Sequence, residues 1–157
     1  MRSIRLITGN QKKVDEYMGF ATKSDIALNF VPLSISLPEL QEENLDILMN
    51  AKVEVAKTFS DLPFCIDDAS FWSRRYPWFP GNFMKFVNST LGIAGLQRLF
   101  DEWDQITAIA RIALYIDQKT FIFDGRIEGT MTFKNIEDID LNMPMNSLFR
   151  INETGET

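Results

Sequence analysis

Asp67 and Asp68 stand side by side at the end of the apolar run Pro63-Phe64-Cys65-Ile66, with Ala69 and Ser70 following. A short apolar run closed by carboxylates is how a buried strand reads when it carries acid to its C-terminal end, where open α/β sheets hold their ligands. Two neighbouring carboxylates repel each other. A cation lets both stay ionised, and an all-oxygen donor set suits Mg²⁺. An Asp-Asp turn closing a strand is the structural alternative for the same residues. The chain contains no His, which excludes a His general base, a Ser-His triad and a His-ligated zinc. Catalysis would therefore fall to carboxylates, Lys, water and metal. Cys65 is the single cysteine. It lies inside the apolar run without a cationic neighbour in sequence and reads as structural.

A second chemical stretch is Thr8-Gly9-Asn10-Gln11-Lys12-Lys13. It follows Ser3–Ile7, which reads as a strand, and precedes a helical pattern through Val14, Tyr17, Met18 and Ala21. Gly permits close backbone approach, and the free N–H groups of a helix start attract anions. Two lysines add charge there, so a phosphate suits the turn. The Gly spacing of a Walker A loop is absent. An ordinary strand-to-helix connection with solvated lysines explains the same residues.

The remaining elements must position these groups. Residues 26–32 read as a second strand, and 34–39 as extended chain in which Pro38 directs the backbone into Glu39. Glu42, Glu43 and Asp46 suit a helix N-terminal region. Ile47, Leu48, Ala51, Val55, Ala56 and Phe59 recur at helical spacing, with Lys52 read by default as a surface lysine. The aromatic and Arg-rich stretch 71–82 predicts a structured loop with an apolar cluster, although bases could stack on it. Residues 83–88, carrying Lys85, and 92–103 predict two helices. Residues 107–116 and 120–127 predict a hairpin turning at Asp117-Gln118-Lys119. Gly125 and Gly129 suggest bends or bulges. Phe133 suggests a short strand, and 152–157 offer no packing element. Helices and strands interleave first and a hairpin follows, which predicts an α/β fold with a sheet of mixed direction.

Composition sets the outer bounds. A chain of 157 residues predicts one domain with a proper core. A net charge of −6 argues against wrapping polymeric nucleic acid. One cysteine is consistent with a reducing compartment. No apolar run reaches the length of a bilayer span, and the start lacks a signal-peptide core. The expectation is a soluble, cytoplasmic protein.

Taken in order, five blocks resemble the inosine triphosphate pyrophosphatase family, the Ham1-like nucleotide hydrolases. Thr8-Gly9-Asn10-Gln11-Lys12-Lys13 is similar to the family's opening TGN-x-x-K. Leu37-Pro38-Glu39-Leu40-Gln41 is similar to its LPE block, and Ile66-Asp67-Asp68 to its acidic strand. Phe79-Pro80-Gly81-Asn82-Phe83-Met84-Lys85 is similar to its PG-x-Y-x-K loop. Phe123-Asp124-Gly125-Arg126-Ile127-Glu128-Gly129 is similar to its hairpin. The resemblance implies a single ITPase-like domain over 1–157, with a long mixed sheet, two lobes and a central cleft. It implies Mg²⁺-dependent hydrolysis of nucleoside triphosphates, with deaminated purines such as ITP, XTP and dITP preferred, to a monophosphate and pyrophosphate. It also implies a homodimer. Residue by residue it assigns Thr8, Gly9, Asn10, Lys13, Lys52 and Lys85 to the triphosphate and Glu39 and Asp68 to the metal. Asp68 would also accept the proton of the attacking water, with Asp67 the other half of the acidic pair.

The resemblance weakens near the C-terminus. The family's F-G-W/Y-D-P stretch corresponds to Met143-Pro144-Met145-Asn146-Ser147-Leu148-Phe149, so Met145 replaces a stacking aromatic and Asn146 an Asp. The family's base-reading Ser-His-Arg and its closing helix are not matched. This puts base preference in question and keeps open a degenerate paralogue that binds nucleotides or only dimerises.

Overall fold

The computed structural model describes residues 2–24, 27–77, 79–134, 136–141 and 143–152. Their elements are β1 (Arg2–Ile7), α1 (Gln11–Lys23), β2 (Leu28–Leu33), α2 (Leu45–Ala56), β3 (Phe64–Ser73), β4 (Pro80–Gly81), α3 (Met84–Leu99), β5 (Gln105–Ile116), β6 (Lys119–Met131), a 3₁₀ turn (Ile136–Asp138), α4 (Pro144–Leu148) and β7 (Phe149–Ile151). The strands form a sheet in the order β2-β1-β3-β5-β6-β7, with β4 paired to β3. β1 runs parallel to β2 and β3, whereas β4 and β7 pair antiparallel with β3 and β6. This is the mixed α/β sheet that the element order predicts. Among the described residues no helix is long and apolar enough to cross a membrane.

The chain divides into two compact units, Met1–Asp68 with Arg111–Asp124, and Ala69–Ala110 with Gly125–Thr157. In the first unit, β1 and β3 separate two apolar clusters by simple alternation, since successive side chains on a strand point to opposite faces. Ile4, Leu6 and Cys65 pack with Val14 and Tyr17 of α1. Ile7, Phe64 and Ile66 pack with Met49, Val53 and Ala56 of α2. The helices start at side-chain caps, which accept backbone N–H groups that the helix cannot satisfy. Asn10 Oδ1 accepts from Lys12 N at 3.0 Å, and Asn44 Oδ1 accepts from Asp46 N at 2.9 Å. Arg111 of β5 then joins the hairpin to α2, donating to both oxygens of Asp124 at 2.6 and 2.7 Å and to Asp46 at 2.6 Å.

The second unit has its own core of Phe71, Met84, Val87, Leu96, Phe100, Ile106, Met131, Met145, Leu148 and Phe149. Tyr76 and Phe79 pack against it, so the aromatic stretch after the acidic pair is chiefly a packing cluster. The two helices expected at 83–103 are α3 with a break at Gly92, whose φ of 56° and ψ of −166° interrupt the helix. Such a positive φ suits glycine.

Several expectations are corrected. β3 does not end at Asp67-Asp68 but continues to Ser73, because Phe71 enters the second core and Phe71 and Trp72 pair with Gly81 and Pro80 of β4. On α2, Ile47 is exposed, as is Phe59 in the turn after the helix, while Lys52 is buried with Leu48, Met49, Val53 and Ala56. The helix is apolar on most sides, so spacing alone could not choose the inward face. β6 runs unbroken through Gly125 and Gly129. Gly129 is needed for another reason: a Cβ there would lie 2.3 Å from Arg150 O and 2.4 Å from the Phe149 ring. Phe133 is not in a strand; its N–H donates to Glu102 Oε2 at 2.7 Å. The C-terminal elements α4 and β7 were not foreseen. Ile26, Trp78, Asn135 and residues 153–157 lie outside the described residues.

Candidate active site

Asp67 and Asp68 occupy adjacent positions of β3 and so leave its two faces. Each meets a lysine from the helix on its own side. Lys13 of α1 donates to Asp67 Oδ2 at 3.0 Å and lies 3.4 Å from the Asp67 carbonyl oxygen. Lys52 of α2 donates to Asp68 Oδ2 at 2.6 Å. The repulsion expected between neighbouring carboxylates is thus relieved by two ion pairs, one per face.

The Lys52 pair is the more unusual. Lys52 is 5% exposed, and a buried ammonium is expensive unless paired and hydrogen-bonded. The Asp68 side chain retains 26% exposure. One of its oxygens is held by Lys52, leaving the other able to accept from solvent or ligand. Lys Nζ has three donors, so Lys52 keeps capacity beyond its bond to Asp68.

The Thr8–Lys13 turn is built by local hydrogen bonds. Thr8 Oγ1 accepts from Asn10 N at 3.1 Å, and Asn10 caps α1. Gly9 is exposed and has no positive φ. A Cβ at Gly9 would meet only Ser34 Oγ, at an ordinary 3.8 Å. The chain's own packing therefore does not demand glycine there, and the bare backbone leaves room over the turn.

Glu39 lies in the irregular segment after β2 and is exposed, with no hydrogen bond or ion pair among the described residues. Ile35 and Leu37, just before it, pack on the α2-side cluster, the face from which Asp68 departs. Lys85 belongs to the second unit, where it is exposed in the first turn of α3. Thr8, Gly9, Asn10, Lys13, Glu39, Lys52, Asp67 and Asp68 all belong to the first.

Three further features bear on the site. Met145 is 0% exposed within the second core. Cys65 is buried, and burial, reinforced by the Asp67 carboxylate, pushes its thiol up to about 12, which makes it inert as a nucleophile at neutral pH. Sequence reasoning missed Tyr17, treated there only as part of a helical pattern. Its hydroxyl is buried beside this cluster, and the signal that could have found it is its place one helical turn after Lys13. A cavity of about 360 Å³ lined by Lys57, Asp61, Tyr115 and Gln118 lies toward the start of β3, away from the acidic pair.

The Ham1 family model matches residues 4–155. A dITP/XTP pyrophosphatase of Pyrococcus horikoshii is 29% identical over 131 residues, covering 82% of this chain and 69% of the relative. A dITP/XTP pyrophosphatase of Methanosarcina mazei is 27% identical over 141 residues, covering 85% and 73%. The Staphylococcus aureus Ham1 protein is similar in fold, with a TM-score of 0.69 at 15% identity over 99% of this chain and 84% of that one.

Proposed function

Because the chain belongs to the Ham1 family, we propose that it is a nucleoside triphosphate pyrophosphatase that uses Mg²⁺ to split deaminated purine triphosphates such as ITP, XTP and dITP into monophosphate and pyrophosphate. The relatives named as dITP/XTP pyrophosphatases support the reaction class. The observation that carries the reading for this chain is the buried Lys52 bonded to Asp68, beside the second pair of Lys13 with Asp67. Two lysines and two carboxylates on adjacent positions form a charge arrangement suited to a phosphate–metal substrate.

The donor chemistry fits Mg²⁺. Among the described residues no group of three or more His, Cys, Asp or Glu is gathered for a metal. Mg²⁺ needs no such cage, since it usually binds one or two carboxylates and keeps water and substrate phosphates as its other ligands. Glu39 and Asp68 would hold it. When bound, it would supply charge stabilisation on the phosphoryl oxygens.

The chain's own residues have separate parts. Asp68, with one oxygen on Lys52, offers the other to a water and takes its proton as that water attacks the α-phosphorus. The new bond is phosphorus to water oxygen, and the α–β anhydride bond breaks to release pyrophosphate. Lys52 and Lys13 act as fixed positive charges for the oxygens that gain charge. Thr8, Gly9 and Asn10 present the helix start and open backbone to the triphosphate. Lys85 keeps a phosphate-binding role on the strength of its motif. The buried Met145 offers no side-chain face for a base to stack on, which favours a relaxed base preference. Exposed Phe121, Ile122 and Phe123 on β6 support a homodimer, and a cytoplasmic location suits the substrate.

The deciding experiment is pyrophosphate release from a panel of nucleoside triphosphates with and without Mg²⁺. Mg²⁺-dependent turnover that Asp68→Asn abolishes is the expected result. Tight Mg²⁺-nucleotide binding without turnover would instead establish a binding paralogue, and an Asp68→Asn variant as active as wild type would refute the role of Asp68.

A further inference from the structure

Leu33-Ser34-Ile35-Ser36-Leu37 carries the alternation of β2 on past its last residue. Leu28 and Phe30 pack on the α1-side cluster, whereas Leu33, Ile35 and Leu37 pack on the α2-side cluster. Ser34 has the parity of Leu28 and Phe30 and so leaves on the α1 side, the side of the Lys13–Asp67 pair. The parallel pairing of β1 with β2 sets Ile7 beside Leu33, and Thr8 N–H donates to Leu33 O at 3.2 Å. Ser34 is thereby held next to the Thr8-Gly9-Asn10 turn. It is exposed, and its hydroxyl bonds to no other described residue, so its hydrogen is available to a ligand.

Gly9 supplies the geometry. Ser34 Oγ lies 3.8 Å from where a Gly9 Cβ would stand, and beyond the chain neighbours it is the only atom of the described residues within 4 Å of that point. An oxygen resting on the bare face of Gly9 therefore meets the Ser34 hydroxyl before any other side chain. α1 begins here with N–H groups that attract anions, and Lys13 stands on the same side. A hydroxyl donates one hydrogen, and a phosphoryl oxygen is a charged acceptor, for which such bonds are short and strong.

We propose that Ser34 is a further substrate-binding residue, its hydroxyl donating to a phosphoryl oxygen lodged over Gly9. The identity of the ligand rests on the pyrophosphatase reading. The contact also accounts for a glycine that neither its φ nor the packing around it requires, since a methyl there would fill the space between the backbone and the hydroxyl. Because the bond is to phosphate, it is blind to the base.

The test uses the full chain carrying Ser34→Ala or Ser34→Thr. Pyrophosphate release is read from ITP and from XTP with Mg²⁺, and binding of inorganic tripolyphosphate with Mg²⁺ is read by calorimetry. Ser34→Ala is expected to lower kcat/KM about tenfold, equally for the two bases, and to weaken tripolyphosphate by a similar factor. Its urea midpoint should match wild type, since the hydroxyl holds nothing within the fold. Ser34→Thr keeps the hydroxyl and should stay near wild type throughout. Unchanged kcat/KM and tripolyphosphate affinity in Ser34→Ala would overturn the proposal and leave the pyrophosphatase reading intact. A loss that Ser34→Thr shares, or one confined to a single base, would overturn it as well. If wild type bound tripolyphosphate but turned over no triphosphate, the pyrophosphatase reading would fail, while weaker binding by Ser34→Ala would still uphold the contact. If wild type bound no tripolyphosphate, the contact would fall too.

Discussion

Lys52→Met and Asp68→Asn remove the same ion pair from opposite ends, and the structure makes their costs unequal. Lys52→Met keeps most of the packed stem and leaves Asp68 without its cation. The Asp68 side chain is 26% exposed, so water can partly replace the lost bond, and the expected cost is about 1–2 kcal/mol. Asp68→Asn leaves Lys52 with a neutral acceptor, and its side chain is only 6% exposed. Stranding a buried charge costs about 3–5 kcal/mol. The retained Asn acceptor reduces this to about 2–4 kcal/mol. A solvated surface lysine, by contrast, would change stability by less than about 0.5 kcal/mol. Urea or thermal unfolding reads the difference, at roughly 2–4 °C of Tm per kcal/mol for a chain of this size. The double variant should lose less than the two single costs added, because neither charge is then stranded. If Lys52→Met proved as costly as Asp68→Asn, or if both fell within about 0.5 kcal/mol of wild type, the argument from unequal burial would be wrong.

Three further outcomes are expected. Gly9→Ala should leave stability within about 0.5 kcal/mol, since its Cβ meets only ordinary contact, while raising KM for the triphosphate in the pyrophosphate assay. Gly129→Ala should destabilise by about 1–3 kcal/mol in urea unfolding, because its Cβ would run into Arg150 O and the Phe149 ring. Cys65 should react slowly with iodoacetamide in native protein at pH 8 and rapidly in denaturant. Its thiol is raised from 9.0 to about 12, so the stability it contributes is complete below pH 9 and lost as pH climbs toward 12. Cys65→Ala should flatten that alkaline decline in equilibrium unfolding.

The order of elements and most of the chemistry could be read from the chain alone. The apolar run before Asp67, the turn after Ile7 and the hairpin at Asp117 are local signals, set by period, breaker residues and caps within a few positions. The absence of His excluded whole classes of mechanism without any coordinates. What spacing could not supply was which side of a nearly all-apolar helix faces inward. On α2 that decision buried Lys52 and exposed Ile47. Nor could it show that β3 runs on past the acidic pair, since a strand ends only where its neighbours stop pairing with it. The assignment of Lys13 to Asp67 and Lys52 to Asp68 joins residues 54 and 16 positions apart. Local pattern carries no information at that range; helix crossover and strand alternation decide it, because a lysine reaches only the carboxylate that leaves the sheet on its own helix's face.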